Sequence, residues 1–118
     1  MNSYQSLAVW QESFKLAKMI YISTKQFPKD ERYELTSQMR RAAVSIPSNI
    51  AEGYRRRSPG YLEQFTRIAY GSASELETQL LLAKELGYLP DDEFKKIWIL
   101  LDHVLRLLNG YSKYVSKA

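Results

Sequence analysis

The sequence contains no cysteine and only one histidine, His103. Without cysteine the chain can form neither disulfide bonds nor thiolate metal sites, which fits a reducing compartment, so we expect a cytoplasmic protein. A di-iron helical bundle needs Glu-x-x-His motifs on facing helices, and a single histidine cannot supply them. We therefore expect no metal site and no cofactor.

Features of membrane proteins and of common enzymes are also missing. No segment approaches the roughly 20 consecutive apolar residues that cross a bilayer, so we expect no membrane partner. No Gly-x-Gly-x-x-Gly or Walker-type loop is present. Asp102 precedes His103 directly, so on a helix the two side chains point about 100° apart and cannot form a catalytic pair. These absences predict a protein that is not an enzyme.

The net charge of +4 comes from one segment of the chain. Residues 38–67 hold six arginines and two glutamates, whereas the remaining 11 Lys and Arg balance the remaining 11 Asp and Glu. Guanidinium groups bind phosphate or carboxylate through two parallel hydrogen bonds, which a lysine ammonium cannot do. The segment therefore favours an anionic partner.

Apolar residues recur at helical spacing almost throughout, and strand signals are missing. We predict an all-α protein, a single domain over residues 1–118, with helices at about 6–26, 30–57, 59–86 and 91–115. Short connections favour an up-down-up-down antiparallel four-helix bundle. Pro47 lies inside the second helix, and because the apolar spacing continues across it, we predict a kink rather than a break.

The apolar spacing also predicts which residues form stripes on the helices. In helix 1 the stripe is Leu7, Trp10, Phe14, Ala17, Tyr21 and Thr24. The inward residues are predicted to be Leu35, Met39, Ala42, Ile46, Asn49 and Gly53 in helix 2, Phe65, Ile68, Ser72, Leu76, Gln79 and Ala83 in helix 3, and Phe94, Ile97, Leu101, Val104, Leu108, Tyr111 and Val115 in helix 4. Helix 3 also has the run Leu80-Leu81-Leu82, and helix 4 a second row of Leu100, Leu107 and Tyr114. These exceed what one core needs and predict a homo-oligomer, with a thicker monomer core as the alternative.

A specific string, Ser45-Ile-Pro-Ser-Asn-Ile-Ala-Glu-Gly53, connects the chain to a known family. The matching pieces are Val9-Trp10, Phe27-Pro28 with Glu31, Gln38 through Gly53, Ile68-Ala69, Gly71-Ser72, Glu75-Leu76-Glu77, Gln79-Leu80, Leu82-Ala83 and Leu86-Gly87-Tyr88. With these the chain resembles the four-helix-bundle proteins encoded within intervening sequences of bacterial 23S rRNA genes. Met39 stands where leucine is expected and Ser13 where alanine is expected.

The resemblance implies an up-down bundle that assembles into a ring, commonly a pentamer, without an established activity. A related protein, the accessory variability factor of diversity-generating retroelements, is similar in fold and binds nucleic acid and a reverse transcriptase through a basic surface. The same kind of role for this chain is an inference from that likeness, because fold alone does not determine function.

Two sets of polar residues are candidate sites. The first set would bind a nucleic-acid backbone, RNA or DNA, with Tyr54 and Tyr61 available to stack on bases; it is Arg40, Arg41, Arg55, Arg56, Arg57 and Arg67. Its alternatives are a solvated helix end, or contact with an acidic protein partner in a structural or protein–protein interaction module.

The second set would form a structural network between helices 2 and 3, in which Arg41 pairs with Glu75 or Glu52. Its alternative is a ligand or ion site within the bundle. The set is Gln38, Arg41, Ser45, Asn49, Glu52, Ser72, Glu75 and Gln79.

Overall fold

The computed structural model describes residues 3–116 and contains four long helices. These are α1 (Ala8–Thr24), α2 (Leu35–Arg56), α3 (Pro59–Glu85) and α4 (Asp91–Ser116), with short 3-10 turns at Tyr4–Ser6 and Lys29–Glu31. No strand occurs in residues 3–116. The predicted all-α class is confirmed.

The helices pack side by side around one core. Each helix contacts the next along the chain, and α1 contacts α4 to close the bundle. The molecule measures 44 × 25 × 24 Å, which matches the roughly 40 Å length of a 27-residue helix such as α3. The predicted four-helix bundle is therefore confirmed, with the carboxyl ends of α2 and α4 at the same end as the amino ends of α1 and α3.

Helix α2 runs without interruption through Pro47. Proline has no N–H, so the carbonyl of Ala43 loses its usual helical partner. Ile46 and Ile50, on either side of the proline, are both buried in the core. The backbone thus keeps one face inward across the proline, and residues of both halves of α2 contribute to the same core.

Helix α2 begins at Leu35, about five residues after the predicted start. The intervening Lys29–Glu31 forms a 3-10 turn, and the Glu31 carboxylate accepts a hydrogen bond from the Leu35 N–H at 3.3 Å. Its other oxygen accepts a 2.7 Å hydrogen bond from the Tyr88 hydroxyl. This bond to Glu31 raises the pKa of Tyr88 above its ordinary value. Glu31 therefore joins the α1–α2 connection to the α3–α4 connection at one end of the bundle.

Helix α1 turns a different face to the core than its apolar stripe suggests. The buried residues Val9, Ser13, Leu16 and Ile20 each precede a member of the stripe by one position. Of the stripe itself, Ala17 and Thr24 are also buried, whereas Phe14 is 46% and Tyr21 43% exposed at the edge facing α2. Both rows repeat at steps of three and four, so spacing alone could not choose between them.

Helix α3 also departs in part from the predicted stripe. Leu76, Gln79 and Ala83 are buried as predicted, but Ile68 is exposed and Phe65 and Ser72 are half-buried. The buried residues in this part of α3 are Ala69 and Ala73, which follow Ile68 and Ser72. The alanines allow α3 to lie close to its neighbours, because their side chains fill little space. The inward residues predicted for α2 and α4 are buried, except that Asn49 and Tyr111 are half-buried.

None of the helices in residues 3–116 is both long and apolar enough to cross a membrane.

Candidate functional site

The six arginines predicted to bind nucleic acid do not share one surface. Arg40 lies between α1 and α2, where its guanidinium donates hydrogen bonds to the Thr24 hydroxyl at 2.9 Å and the Tyr21 carbonyl at 3.3 Å. It also lies over the Tyr21 ring, 4.7 Å from the centroid. Arg40 and Arg55 are 15 residues apart on α2, about 22 Å along its axis. Arg40 therefore stabilises the carboxyl end of α1, far from the three consecutive arginines.

Arg56 and Arg67 are each paired with a glutamate one turn earlier. The Arg56 Nε lies 3.4 Å from a Glu52 carboxylate oxygen, and the Arg67 guanidinium lies 3.7 Å from Glu63. Both pairs are exposed, so they add little to the stability of the fold. They do neutralise part of the positive charge that the sequence places in this segment.

Arg55 and Arg57 remain as cations at the end of the bundle where α2 finishes, here called the arginine end. Both line an open hollow of about 370 Å³ together with Ser3, Tyr4 and Tyr54. Among the carboxylates of residues 3–116, none lies within 4.0 Å of either guanidinium. The hollow therefore combines two guanidinium groups with phenol and hydroxyl groups, a combination that suits an anionic oxygen.

The backbone at the end of α2 directs Arg57 into this hollow. Arg57 has a left-handed conformation, with φ 58°, and caps the carboxyl end of α2. If the helix continued through residue 57 instead, the Arg57 side chain would point about 200° around the axis from that of Arg55. The turn thus allows Arg55 and Arg57 to line one hollow although they are close together in sequence.

Tyr4 joins the N-terminal 3-10 turn to this hollow. Its ring lies 5.3 Å from the Arg55 guanidinium carbon, and it contacts Trp10 edge to face at 5.3 Å. Hydrogen bonding with Gln5, and next with Arg55, lowers the pKa of the Tyr4 hydroxyl from its ordinary value. The N-terminal turn is therefore held against α2 by the same arginine that lines the hollow.

The polar row predicted between α2 and α3 is brought together only in part. The Ser45 and Ser72 hydroxyls share a 2.8 Å hydrogen bond across the two helices, and the Asn49 amide donates to the Ser45 hydroxyl at 2.9 Å. One turn further along, the Gln79 amide donates to Glu75 at 3.3 Å. The helices are thus linked directly by the two serines.

Arg41 does not form the predicted ion pair. No carboxylate of residues 3–116 lies within 4.0 Å of its guanidinium, and Glu52 is paired with Arg56 instead. The pairing with Glu75 or Glu52 is therefore wrong. Arg41 and Gln38 line an open groove of about 620 Å³ with Glu75 and Gln79, where water can solvate both charges separately.

Sequence reasoning missed an apolar groove between α1 and α2. Stacked rings of Trp10 and Phe14, 4.8 Å apart, form its wall on α1. The aromatic groove consists of two adjoining hollows of about 250 and 330 Å³ that share Phe14, Ala17 and Val44. Its signal in the sequence was the stripe of helix 1, whose aromatic members Trp10 and Phe14 line this groove.

The surroundings of the single histidine differ from those of a metal ligand in residues 3–116. In the described part of the chain, no three His, Asp or Glu side chains come together as a metal site would require. The His103 ring lies 3.8 Å from Glu12 of α1, and Asp102 pairs with Arg106 at 3.0 Å. The histidine thus contacts a different carboxylate from the one beside it in sequence.

Comparison with known proteins agrees with this architecture. A protein of unknown function from the S23 ribosomal protein family of Bacteroides thetaiotaomicron VPI-5482 has a similar structure, with a TM-score of 0.80 and 22% sequence identity. The match covers 89% of this chain and 95% of that chain, and at this identity it shows the fold alone. No curated protein matches the chain.

The family assignment expected from the sequence is confirmed by a match over nearly the full chain. The model of the 23S rRNA-intervening sequence protein family covers residues 5–110. The chain belongs to the 23S rRNA-intervening sequence protein family.

Proposed function

We propose that the protein is a non-enzymatic accessory protein that binds nucleic-acid phosphates at the arginine end of the bundle. The observation that supports this most is the hollow lined by Arg55, Arg57, Tyr4 and Tyr54. Two guanidinium groups without a carboxylate partner can each donate two hydrogen bonds to a phosphate. Arg40 and Arg67 lie outside the proposed site, because each is occupied by partners elsewhere.

Charge reversal at the hollow tests this proposal. The variant Arg55→Glu/Arg57→Glu should bind a labelled single-stranded RNA at least about tenfold more weakly than the wild type, because two phosphate contacts become repulsions. The matched control is Lys95→Glu/Lys96→Glu, which makes the same change in net charge on exposed residues at the start of α4. Fluorescence anisotropy measures both affinities at one salt concentration.

The control distinguishes a site from a general effect of charge. We expect Lys95→Glu/Lys96→Glu to retain most of the affinity, since these lysines lie at the opposite end of the bundle. Equal losses of RNA affinity in the two double variants would contradict a localised site. If the wild type binds neither RNA nor DNA near physiological salt, the alternative is favoured, namely a structural or protein–protein interaction module.

We also propose that copies of the chain assemble head to tail. The aromatic groove has a basic rim, formed by Lys18 and Arg40. Three exposed leucines, Leu81, Leu82 and Leu86, lie at the carboxyl end of α3 and its cap and are here called the leucine ridge. Glu77 and Glu85 lie one turn before and after Leu81. The basic rim of the groove and the acids beside the ridge have opposite charge, so the two apolar surfaces are complementary. Because the groove and the ridge are different surfaces of the same chain, each copy can bind the next, and repeated contacts can close a ring.

A mixing experiment tests this assembly. Val44→Glu places a charge in the groove and Leu81→Lys places one on the ridge, and both residues are already partly exposed. Each variant alone should be monomeric by multi-angle light scattering, whereas an equimolar mixture should form a dimer through the one intact groove and the one intact ridge.

The control for the mixing experiment is Ile99→Glu, on an exposed part of α4, which should leave the wild-type mass unchanged. A wild-type monomer, or an unchanged assembly in Val44→Glu, would contradict the proposed contact.

A further inference from the structure

We infer that the arginine end selects single-stranded nucleic acid by stacking unpaired bases on its tyrosines, an inference that rests on the proposed function. Five tyrosines lie on the segments that meet at this end: Tyr4, Tyr54, Tyr61, Tyr111 and Tyr114. The two most exposed are Tyr61 at 48% and Tyr114 at 70%. Rings of this kind bind bases of any identity, because every base has an aromatic face.

Two arginine–tyrosine contacts and one stacked pair of tyrosines lie at this end. The Arg56 guanidinium lies 5.2 Å from the Tyr61 ring centroid and Arg55 lies 5.3 Å from that of Tyr4. Tyr111 and Tyr114 stack at 6.4 Å. A strand that places phosphates on Arg55 and Arg57 meets the rings of Tyr4 and Tyr54 in the same hollow, and the other three rings lie at the same end of the bundle. Cations beside aromatic rings are the combination that single-strand binding proteins use.

The shape of the arginine end does not suit a duplex. Reading base edges in the major groove requires a protruding helix or β-ribbon. Here α2 and α4 end, α1 and α3 begin, and the surface includes a hollow between the end of α2 and the N-terminal turn. In a duplex the base faces are covered by neighbouring bases, so the tyrosines could contact only its backbone. A single strand can present phosphate and base together.

Exposed tyrosines also have an ordinary explanation, since such rings often lie at the surface with the hydroxyl in water. Tyr33 is an example at the opposite end of the bundle, where it is 86% exposed in the α1–α2 connection. No cation–aromatic contact involves Tyr33 in residues 3–116. Tyr33 is therefore a control residue of the same type, highly exposed and at the opposite end of the bundle from Arg55 and Arg57.

The test compares the binding of four ligands at one salt concentration. They are a 12-nucleotide RNA strand, a 12-nucleotide DNA strand, the corresponding DNA duplex, and an abasic DNA strand with as many phosphates as the single DNA strand. We expect both single strands to bind at least about fivefold more tightly than the abasic strand and the duplex, as one stacked base would produce. The affinities for the RNA and DNA single strands should differ less from each other than either differs from the affinity for the abasic strand, because stacking does not involve the 2′-hydroxyl.

Variants identify the rings that act. Tyr61→Ala/Tyr114→Ala should abolish the preference for intact single strands over the abasic strand and leave binding of the abasic strand unchanged. Tyr61→Phe/Tyr114→Phe should retain the preference, because the ring is kept. Tyr33→Ala should have no effect. Circular dichroism of each variant checks that the helices are intact.

The outcomes separate the inference from the proposed function. If the duplex or the abasic strand binds as tightly as the single strands, the selection inference is wrong, while loss of binding in Arg55→Glu/Arg57→Glu still supports the phosphate site. If the alanine variant keeps the preference, the tyrosines are not the stacking surface and the inference is again wrong. If none of the four ligands binds, both proposals are overturned.

Discussion

Replacing Gly53 with alanine should destabilise the bundle even though alanine favours helices. A Cβ at this position would lie 2.9 Å from the Phe65 Cβ and 3.5 Å from the backbone of Leu62 on α3. The Phe65 Cβ cannot move without its helix, so α2 and α3 would have to separate. Such overpacking costs about 1–3 kcal/mol. After the gain of about 1 kcal/mol in helix propensity, we expect a net loss of up to about 2 kcal/mol.

Gly71 provides the matched control, because it lies within α3 but a Cβ there would meet nothing within 4 Å. Gly71→Ala should raise the free energy of unfolding by about 1 kcal/mol. Urea denaturation of both variants measures the two changes. Opposite signs are the expected result, and a stabilising effect of Gly53→Ala would mean that α2 and α3 do not approach as closely as described.

Replacing Gln79 with methionine should stabilise the bundle. Gln79 is 8% exposed, and its side-chain oxygen is buried without a hydrogen-bond donor in residues 3–116. A buried acceptor without a partner costs about 1–3 kcal/mol. Methionine has a similar volume and no such group, although the 3.3 Å bond to Glu75 would be lost. We expect the free energy of unfolding to rise by about 1 kcal/mol or more.

Glu75→Ala is the comparison for this prediction. It removes the carboxylate partner of Gln79 but leaves the buried oxygen in place, so it should not stabilise the bundle. If Gln79→Met instead destabilises the protein and broadens its NMR spectrum, the amide helps to specify the packing of α2 against α3, as the network hypothesis holds. Thermal unfolding and a ¹⁵N–¹H spectrum of each variant distinguish these results.

The fold could be predicted because apolar residues recur at helical spacing in all four segments. The predicted inward residues of α2 and α4, such as Met39, Ile46, Leu101 and Val104, are buried in the core. The exceptions were Ile68 of α3, which is exposed, and α1, where an aromatic row and an aliphatic row are adjacent. The aliphatic row is buried, and Phe14 remains at the surface of the aromatic groove. Periodicity gives the spacing of a face but does not decide between two neighbouring faces.

The candidate site was less predictable, because proximity in sequence differs from proximity in space. The sequence grouped six arginines by their position between residues 38 and 67. In the structure Arg40 bonds to α1, and Arg56 pairs with Glu52 one turn away. That pair has helical spacing and could have been predicted, whereas the contact of Arg40 with α1 depends on tertiary packing. The hollow also includes Tyr4, whose approach to Arg55 nothing in the sequence indicated.

The motifs that relate the chain to its family have structural roles here. Ser45 bonds to Ser72 across α2 and α3, and Gly53 allows these helices to approach. Glu31 and Tyr88, from two separate matching pieces, bond to each other between loops. Family membership therefore accounts for the fold, whereas the proposed function rests on Arg55 and Arg57 beyond the matching string.

The salt dependence of RNA binding tests the proposed phosphate site most directly. Two phosphate contacts per protomer on a single strand predict a slope of about −1.4 or steeper in a plot of log Kobs against log salt concentration. In Arg55→Glu/Arg57→Glu the slope should become shallower by at least about 1.4. A wild-type affinity that does not change with salt, or an unchanged slope in the variant, would contradict the account.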